Sequence, residues 1–560
     1  MTSETAAAPA AVDAIAASLR RARDFVLSVR TAYVLGALVA AQWAALLVFA
    51  LTVRRNGWLY YAGGDQLWHY SDAFLLAHGH LPPTFVGYGW SILLLPVAAV
   101  AGPSIVSALP AIVLFNTLVL LPLALLCVYG IGARIAGRLF GYWAALLWIA
   151  LPYVGVRFVT PGYHQKYTEL TLPQFLGLSS VPDFPSTVAL LVAAYFCLRS
   201  LDSSGWYSAA GAGLAAGYAI AIKPSNSIFL FAPALLYLVR KWRALVPFAL
   251  ALAPALLTLA LWKYRGLGQL AAEPAEPMRL AGGVGDLGRR IYNPDLNSWD
   301  HLHEVLIALQ EHFWASRAIE WLPLAGMAAL LIRSVRGFLL IATWFTAYLL
   351  TKGTYGPASI DDASFFRILM PGFPAFLILA ASIVLLVPGV RARPGPPALR
   401  LTGRRLTLAM GAAAVVFAAM PLAVIAAVPP LHDGGRKAVI YGGGILPVSS
   451  HVALHAAVDT GGAVKLSWRS ESGRPAAVFY RLLRVSPSKG GVFCAGRSSR
   501  AADDCRLYTD TLTSTRATSY LDSPGPGTWI YRLGVAANWL NDVNYGDVTV
   551  VSPPVTVTVP

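Results

Sequence analysis

The sequence predicts a mainly α-helical, polytopic membrane protein of about eleven spanning helices that ends in an all-β sandwich. Charged residues make up 12% of the 560 positions and hydrophobic residues 57%, whereas a water-soluble domain carries roughly 25% charge. Several apolar runs approach or exceed the ~20 residues that cross a hydrocarbon core about 30 Å thick. After residue 430 these runs give way to short alternating segments separated by Gly, Pro, Ser and Asp, the pattern of half-buried strands.

The apolar runs fall near 31–53, 104–131, 139–158, 185–200, 206–222, 225–240, 244–263, 319–334, 337–352, 367–389 and 406–428. Residues 1–30 are polar and basic, and the run after them is long enough to stay as an anchor, so no cleavable leader is expected and the N-terminal segment is expected in the cytoplasm. Alternation from that end puts five groups of basic residues on the cytoplasmic side: Arg20, Arg21, Arg23 and Arg30; Arg134 and Arg138; Arg240, Lys241 and Arg243; Arg333 and Arg336; Arg391, Arg393, Arg400, Arg404 and Arg405. The positive-inside rule accounts for much of the net charge of +16, and a nucleic-acid partner is not called for. The longer loops at 54–103, 159–184, 264–318 and 353–366 are then extracytoplasmic. Trp90 to Ala101 is too short to cross and reads as interfacial or re-entrant. The multi-pass chain is expected in a plasma membrane, and its richness in Ala, Gly, Arg and Pro points to a bacterium.

Residues 429–449 form a linker and 450–560 the extracytoplasmic all-β domain. The segments around Trp468 and Tyr480, from Trp529 through Tyr531, and after Ser552-Pro553-Pro554 resemble strands B, C, F and G of a fibronectin type III domain. Cys494 and Cys505 lie in a Gly- and Asp-rich loop of this domain, on the oxidising side, where a disulfide is expected. Cys127 and Cys197 sit inside apolar runs as packing residues.

The first outer loop concentrates polar and aromatic residues: Tyr61-Ala62-Gly63-Gly64-Asp65-Gln66-Leu67-Trp68-His69-Tyr70, then Ala77 to Pro83 and Gly87-Tyr88-Gly89-Trp90. Two glycines allow a tight turn just after a span and set Asp65 at the membrane face among interfacial aromatics. A carboxylate there can take a proton from a hydroxyl at the bilayer surface. It can equally be a solvated loop residue or a helix cap.

This arrangement resembles the GT-C superfamily of polytopic glycosyltransferases, which includes the protein O-mannosyltransferases and the lipid A aminoarabinose transferases. Their acidic residue after the first span, Gly-x-x-Pro-Pro stretch, short apolar piece and basic Gly-Arg-Leu-Phe-Gly turn correspond in order to Asp65, Gly79 to Pro83, Trp90 to Ala101 and Gly137 to Gly141. Pro182-Asp183, Ala221-Ile222-Lys223-Pro224 and Phe366-Arg367-Ile368-Leu369-Met370-Pro371 continue the similarity, which covers roughly residues 31–390. Many relatives carry two adjacent acids where this chain has Asp65-Gln66, so a metal site built on a carboxylate pair is not implied there.

The resemblance implies inverting transfer of a sugar from a polyprenyl-phosphate donor to an extracytoplasmic hydroxyl of a glycan, lipid or protein. Asp65 is then the general base, and Lys223 and Arg367 hold the donor phosphate. Gln66, His69, Tyr70, Tyr88, His164 and Asp183 are candidate substrate contacts. Lys223 interrupts an apolar stretch, a costly position for a cation, but Lys223 to Asn226 can also be a solvated turn, Arg367 an interfacial anchor and Asp183 a helix cap. Asp361 and Asp362 are an adjacent acid pair that can hold Mg or Mn with a phosphate, though one pair supplies few ligands. His301, His303, Glu304, Glu311 and His312 lack zinc spacing and read as an amphipathic lid helix on the membrane. Tyr163 to Tyr167 with Glu169 can line an acceptor cleft or form a polar loop. Trp529 and Trp539 can meet a glycan or fill the sandwich core. The competing functions are a transporter or flippase of lipid-linked glycans, for which no internal repeat is found, and a cell-envelope assembly protein that binds through the sandwich.

Overall fold

The computed structural model describes residues 17, 18, 21, 23–52, 65–82, 86–101, 105–156, 177–203, 205–267, 292–313, 315–361, 364–388, 390, 392, 403–430, 438–441, 444–447, 452–469, 478–485, 510–515, 517–537 and 548–560. His164, Asp362, Cys494, Cys505 and Trp539 lie outside them. The helical part runs through α1 (Thr31–Thr52), α2 (Asp65–Ala77), α3 (Tyr88–Ala101), α4 (Ile105–Phe115), α5 (Leu121–Ala136), α6 (Arg138–Val156), α7 (Asp183–Asp202), α8 (Tyr207–Ile222), α9 (Phe231–Arg240), α10 (Leu245–Leu267), α11 (Trp299–His312), α12 (Ser316–Arg333), α13 (Thr343–Lys352), α14 (Ser364–Leu369), α15 (Phe373–Ser382), α16 (Gly403–Ala414) and α17 (Met420–Ala427).

Among the described residues six helical stretches are long and apolar enough to cross a membrane: Thr31–Leu51, Ala108–Ala136, Asp183–Asp202, Trp242–Gly266, Ser364–Leu386 and Thr407–Ala427. The expected runs at 139–158 and 206–222 are shorter apolar helices. The run at 225–240 opens as a 3-10 segment, Pro224–Leu230, and that at 337–352 passes through a π turn, Phe338–Ala342. Their large apolar side chains, among them Leu51, Leu118, Leu250, Leu257, Ile332 and Leu408, are exposed on the outside of the bundle, as in a chain whose solvent is lipid. The protein is a multi-pass membrane protein.

Lipid gives helices no hydrophobic reason to associate, so close packing must supply it. Ala209, Gly213 and Gly217 recur every four residues on α8, and a side-chain carbon at Gly213 would run into the backbone carbonyl of Phe248 on α10. Small residues therefore let α8 and α10 touch backbone to backbone, with α7 on the other side.

The two ends of α7 define the two ends of the bundle. Twenty residues at about 1.5 Å each separate Asp183 from Asp202 by about 28 Å. At the Asp202 end, Arg134 and Arg336 both pair with Asp202, Lys241 donates to the carbonyls of Ser200 and Ser203, and Arg138 donates to Val29 O. Basic residues of the second, third and fourth groups thus border one end, beside Val29 of the first segment. At the opposite end lie α2, the start of α7, and the ends of α8 and α13.

Two helices, α2 and α3, occupy the stretch expected to be the first outer loop. Asp65 therefore opens a helix and does not sit in a loop. Leu81, just past α2, pairs with Pro430, its N–H donating to Pro429 O at 2.8 Å, so the chain leaving α17 is stitched to the segment between α2 and α3. Residues expected to be linker form an antiparallel hairpin, β1 (Ala438–Tyr441) and β2 (Gly444–Pro447), which lies against α2.

The sandwich has one sheet ordered β3-β4-β7 (Leu454–Val458, Val464–Trp468, Ser519–Asp522) and another ordered β10-β8-β5-β6 (Val555–Val559, Gly527–Ala537, Val478–Val485, Asp510–Thr515), with β9 (Val548–Val551) beside β8. Alternate residues from both sheets, including Val464, Leu466, Trp468, Tyr480, Leu482, Tyr531 and Leu533, fill its core. Arg484 and the Tyr531 hydroxyl both reach the Asp522 carboxylate, bridging the sheets at one edge.

Candidate functional site: a buried carboxylate between two cations

Pro182 caps α7 and Asp183 is its first residue, where the helix dipole favours an acid. Its side chain does not serve as a cap. It is fully buried, with Oδ1 paired to Lys223 Nζ and Oδ2 accepting from Arg367 Nε at 3.2 Å. Lys223 and Arg367 keep 23% and 30% of their side chains exposed. Two cations against one carboxylate leave one net positive charge, and the cations carry it on the open side.

Local sequence explains how each cation arrives. Pro224 forbids continuation of α8 and forces the preceding residue out of the helical region, so Lys223 is extended at φ −135°, ψ 103°. Asn226 then donates to Ala219 O at 3.0 Å, the carbonyl that also accepts the Lys223 N–H at 2.9 Å, while its side-chain Oδ1 accepts from Tyr348 of α13 at 2.9 Å. Lys223 therefore belongs to a braced helix terminus and not to a solvated turn. Arg367 lies on α14, whose start is fixed by Ser364 bonding to Pro357 O and Ser359 N. The turn after α14 is held by Trp344, which donates to Pro371 O at 3.0 Å.

The segment before Asp183 is pinned from three helices or turns. Gln66 Oε1 accepts from Ser180 N–H at 2.6 Å, Trp90 donates to Ser180 O at 2.9 Å, and Asn116, in the π turn between α4 and α5, donates to Gly177 O and Ser179 O. Asp65, Gln66, Asp183, Lys223 and Arg367 are thus brought to one end of the bundle.

The other expected contacts have different surroundings. His69, Tyr70 and Tyr88 are buried in the packing of α2, α3 and α10. The His69 ring meets Ser91 Oγ at 3.2 Å, and Tyr88 donates to Ala255 O at 3.4 Å. Asp361 is largely exposed beside His312, at 3.5 Å. Among the described residues no three His, Cys, Asp or Glu side chains gather as a metal site. His301 meets Ala358 O at 2.9 Å and Phe313 packs on Phe366, so α11 folds over the segment that leads into Arg367.

Sequence reading missed two cations at the same end. Lys263 is buried near the end of α10 and donates, with Trp262, to Val86 O, and Lys352 is buried at the end of α13 over the Tyr355 ring. Both stand at the last turn of an apolar run, where a lysine looks like an ordinary boundary. The signal available was their position at the ends of apolar runs, the same as that of Lys223.

No family model matches the chain, and no curated protein matches it. Solved structures that resemble it include the crystal structure of the Archaeoglobus fulgidus oligosaccharyltransferase in the apo form, 13% identical with a TM-score of 0.39 over 71% of this chain and 57% of that one. Archaeal oligosaccharyltransferase AglB from Archaeoglobus fulgidus, in complex with an inhibitory peptide and a dolichol-phosphate, is 13% identical with a TM-score of 0.36, over 70% and 55%. The complex of the oligosaccharyltransferase with Zn and sulfate gives 14% and 0.32, over 70% and 54%. The chain thus spans little more than half the length of these proteins, and at such values the likeness assigns neither a family nor an activity.

Proposed function

We propose that this protein is a membrane glycosyltransferase of the GT-C kind, transferring a sugar from a polyprenyl-phosphate donor to an extracytoplasmic hydroxyl of a glycan, lipid or protein. One observation carries the proposal: Lys223 and Arg367, from helices 144 residues apart in sequence, converge on the sealed Asp183 carboxylate at the end of the bundle where α2 begins with Asp65. A lipid phosphate arriving at the bilayer surface would meet two cations already oriented, with no cost of gathering them at the moment of reaction.

In this reading Asp65 takes the proton of the acceptor hydroxyl as its oxygen attacks the anomeric carbon. The bond from that carbon to the phosphate oxygen breaks, and the leaving phosphate keeps the electron pair beside Lys223 and Arg367. Attack opposite the leaving group inverts the anomeric centre. Gln66, His69, Tyr70 and Tyr88 shape the site from behind. Asp361 with a divalent ion at the phosphate remains a proposal that metal titration addresses, as do substrate contact by His164 and the Cys494–Cys505 disulfide. The two-sheet order supports reading the terminal domain as fibronectin type III-like, a candidate guide for the acceptor.

The test is transfer by the purified protein in vesicles, with a panel of radiolabelled polyprenyl-phosphate sugars. Asp65→Asn is expected to lower kcat by about 100-fold or more, the usual weight of a positioned general base. Undiminished transfer would remove Asp65 from the role, and no transfer from any donor by the unaltered protein would refute the activity.

A further inference from the structure

Gln66 is fully buried, one residue from Asp65 in the first turn of α2. Its Oε1 takes the Ser180 N–H at 2.6 Å. A backbone N–H can only donate, so this bond fixes which end of the carboxamide is oxygen. The Gln66 Nε2 is then left buried without a partner among the described residues. An unpaired buried donor costs about 1–3 kcal/mol, and a methionine of similar volume would remove it but leave the buried Ser180 N–H without its acceptor. Packing alone therefore does not account for glutamine here.

What the bond does join is informative. Ser180 precedes Asp183 by three residues, and Trp90 and Asn116 hold the carbonyls of Ser180 and Ser179 in the same segment. One carboxamide thus ties the start of α2, which carries Asp65, to the segment that carries the Lys223–Asp183–Arg367 cluster. In a group transfer the separation of base and leaving phosphate is critical, and a shift of about 1 Å can cost about 100-fold in rate. We infer that Gln66 is a positioning residue that fixes the spacing between the α2 terminus and the cation cluster through Ser180, and does not act by touching the sugar. The inference rests on the glycosyltransferase reading.

The test compares the full-length protein with Gln66→Met, which keeps the volume and removes the acceptor, and with Gln66→Glu, which keeps an acceptor oxygen. Two readouts are taken: steady-state transfer with the donor that the unaltered protein uses, and hydrogen exchange of the amides across 177–183. Gln66→Met is expected to lower kcat by about 100-fold with donor KM held within about twofold, and to speed exchange at Ser180. Gln66→Glu is expected to recover most of both. Unchanged kcat and exchange in Gln66→Met would overturn the inference. So would a rise in KM in place of the fall in kcat, which marks a sugar contact, or a Gln66→Glu variant as impaired as Gln66→Met. Absence of transfer by the unaltered protein would instead refute the glycosyltransferase reading, while the exchange comparison still decides whether the Gln66–Ser180 tie exists.

Discussion

Replacing Asp183 by Asn would preserve the side chain's shape and remove its charge, leaving Lys223 and Arg367 to repel one another across a neutral group. Removing one partner of a buried ion pair costs about 3 kcal/mol at the low end of its range, which suits cations that keep some solvent. An anion bound between them would restore the missing charge. Thermal unfolding in detergent should therefore show Asp183→Asn less stable than the unaltered protein, and polyprenyl phosphate should raise its midpoint by more than it raises the original's. An equal shift in both would mean that the lipid phosphate does not sit beside this pair. Lys223 was legible from sequence because a cation and a proline inside an apolar stretch have few explanations. Its pairing with Asp183 was not, since 40 residues and two helices intervene, and a substrate contact and a structural counter-ion look the same in a string of letters.

At the scale of elements, the Gly87-Tyr88-Gly89 entry to α3 decides how closely α3 approaches the Lys223 terminus. A side-chain carbon at Gly87 would overlap Ala221 O and lie 2.6 Å from Ile222 O, and one at Gly89 would lie 2.8 Å from Ile222 N. These obstacles are backbone atoms that cannot rotate away. Gly87→Ala should destabilise the protein by about 1–3 kcal/mol, the usual cost of overpacking, and lower transfer with it. Gly36→Ala, on α1 where nothing lies within 4 Å, serves as the control and should leave both unchanged. Equal behaviour of the two variants in a thermal inactivation assay would show that α3 does not lean on α8. Hydropathy revealed the apolar runs but not that the polar stretch from Asp65 to Ala77 is a helix, because its periodicity mixes the buried His69, Tyr70 and Asp72 with the buried Leu75 and Leu76. Interruptions such as the Asn116–Leu120 π turn were equally hidden, since they answer to tertiary bonds like that of Asn116 to Ser179 O.

For the whole molecule, charge and topology agree on a simple division. Arg134, Arg138, Lys241 and Arg336 gather at one end of α7, where Asp202 and backbone carbonyls receive them, while the other end holds Asp183, Lys223 and Arg367. The places of Arg134, Arg138, Lys241 and Arg336 in short basic segments of the chain hinted at this gathering. The sandwich was visible in its period-two strands, whereas the seam from Leu81 to Pro430 joins segments some 350 residues apart that no local pattern connects. The central claim is that the pair of cations at the Asp183 end reads a lipid-borne phosphate. Its most direct test is equilibrium binding of a polyprenyl-phosphate sugar to the full-length protein in nanodiscs, beside a Lys223→Met, Arg367→Met double variant. Loss of two charge-assisted contacts at about 1.5–3 kcal/mol each predicts at least about a 100-fold weaker Kd for the variant, and equal affinity for the two proteins would contradict the account.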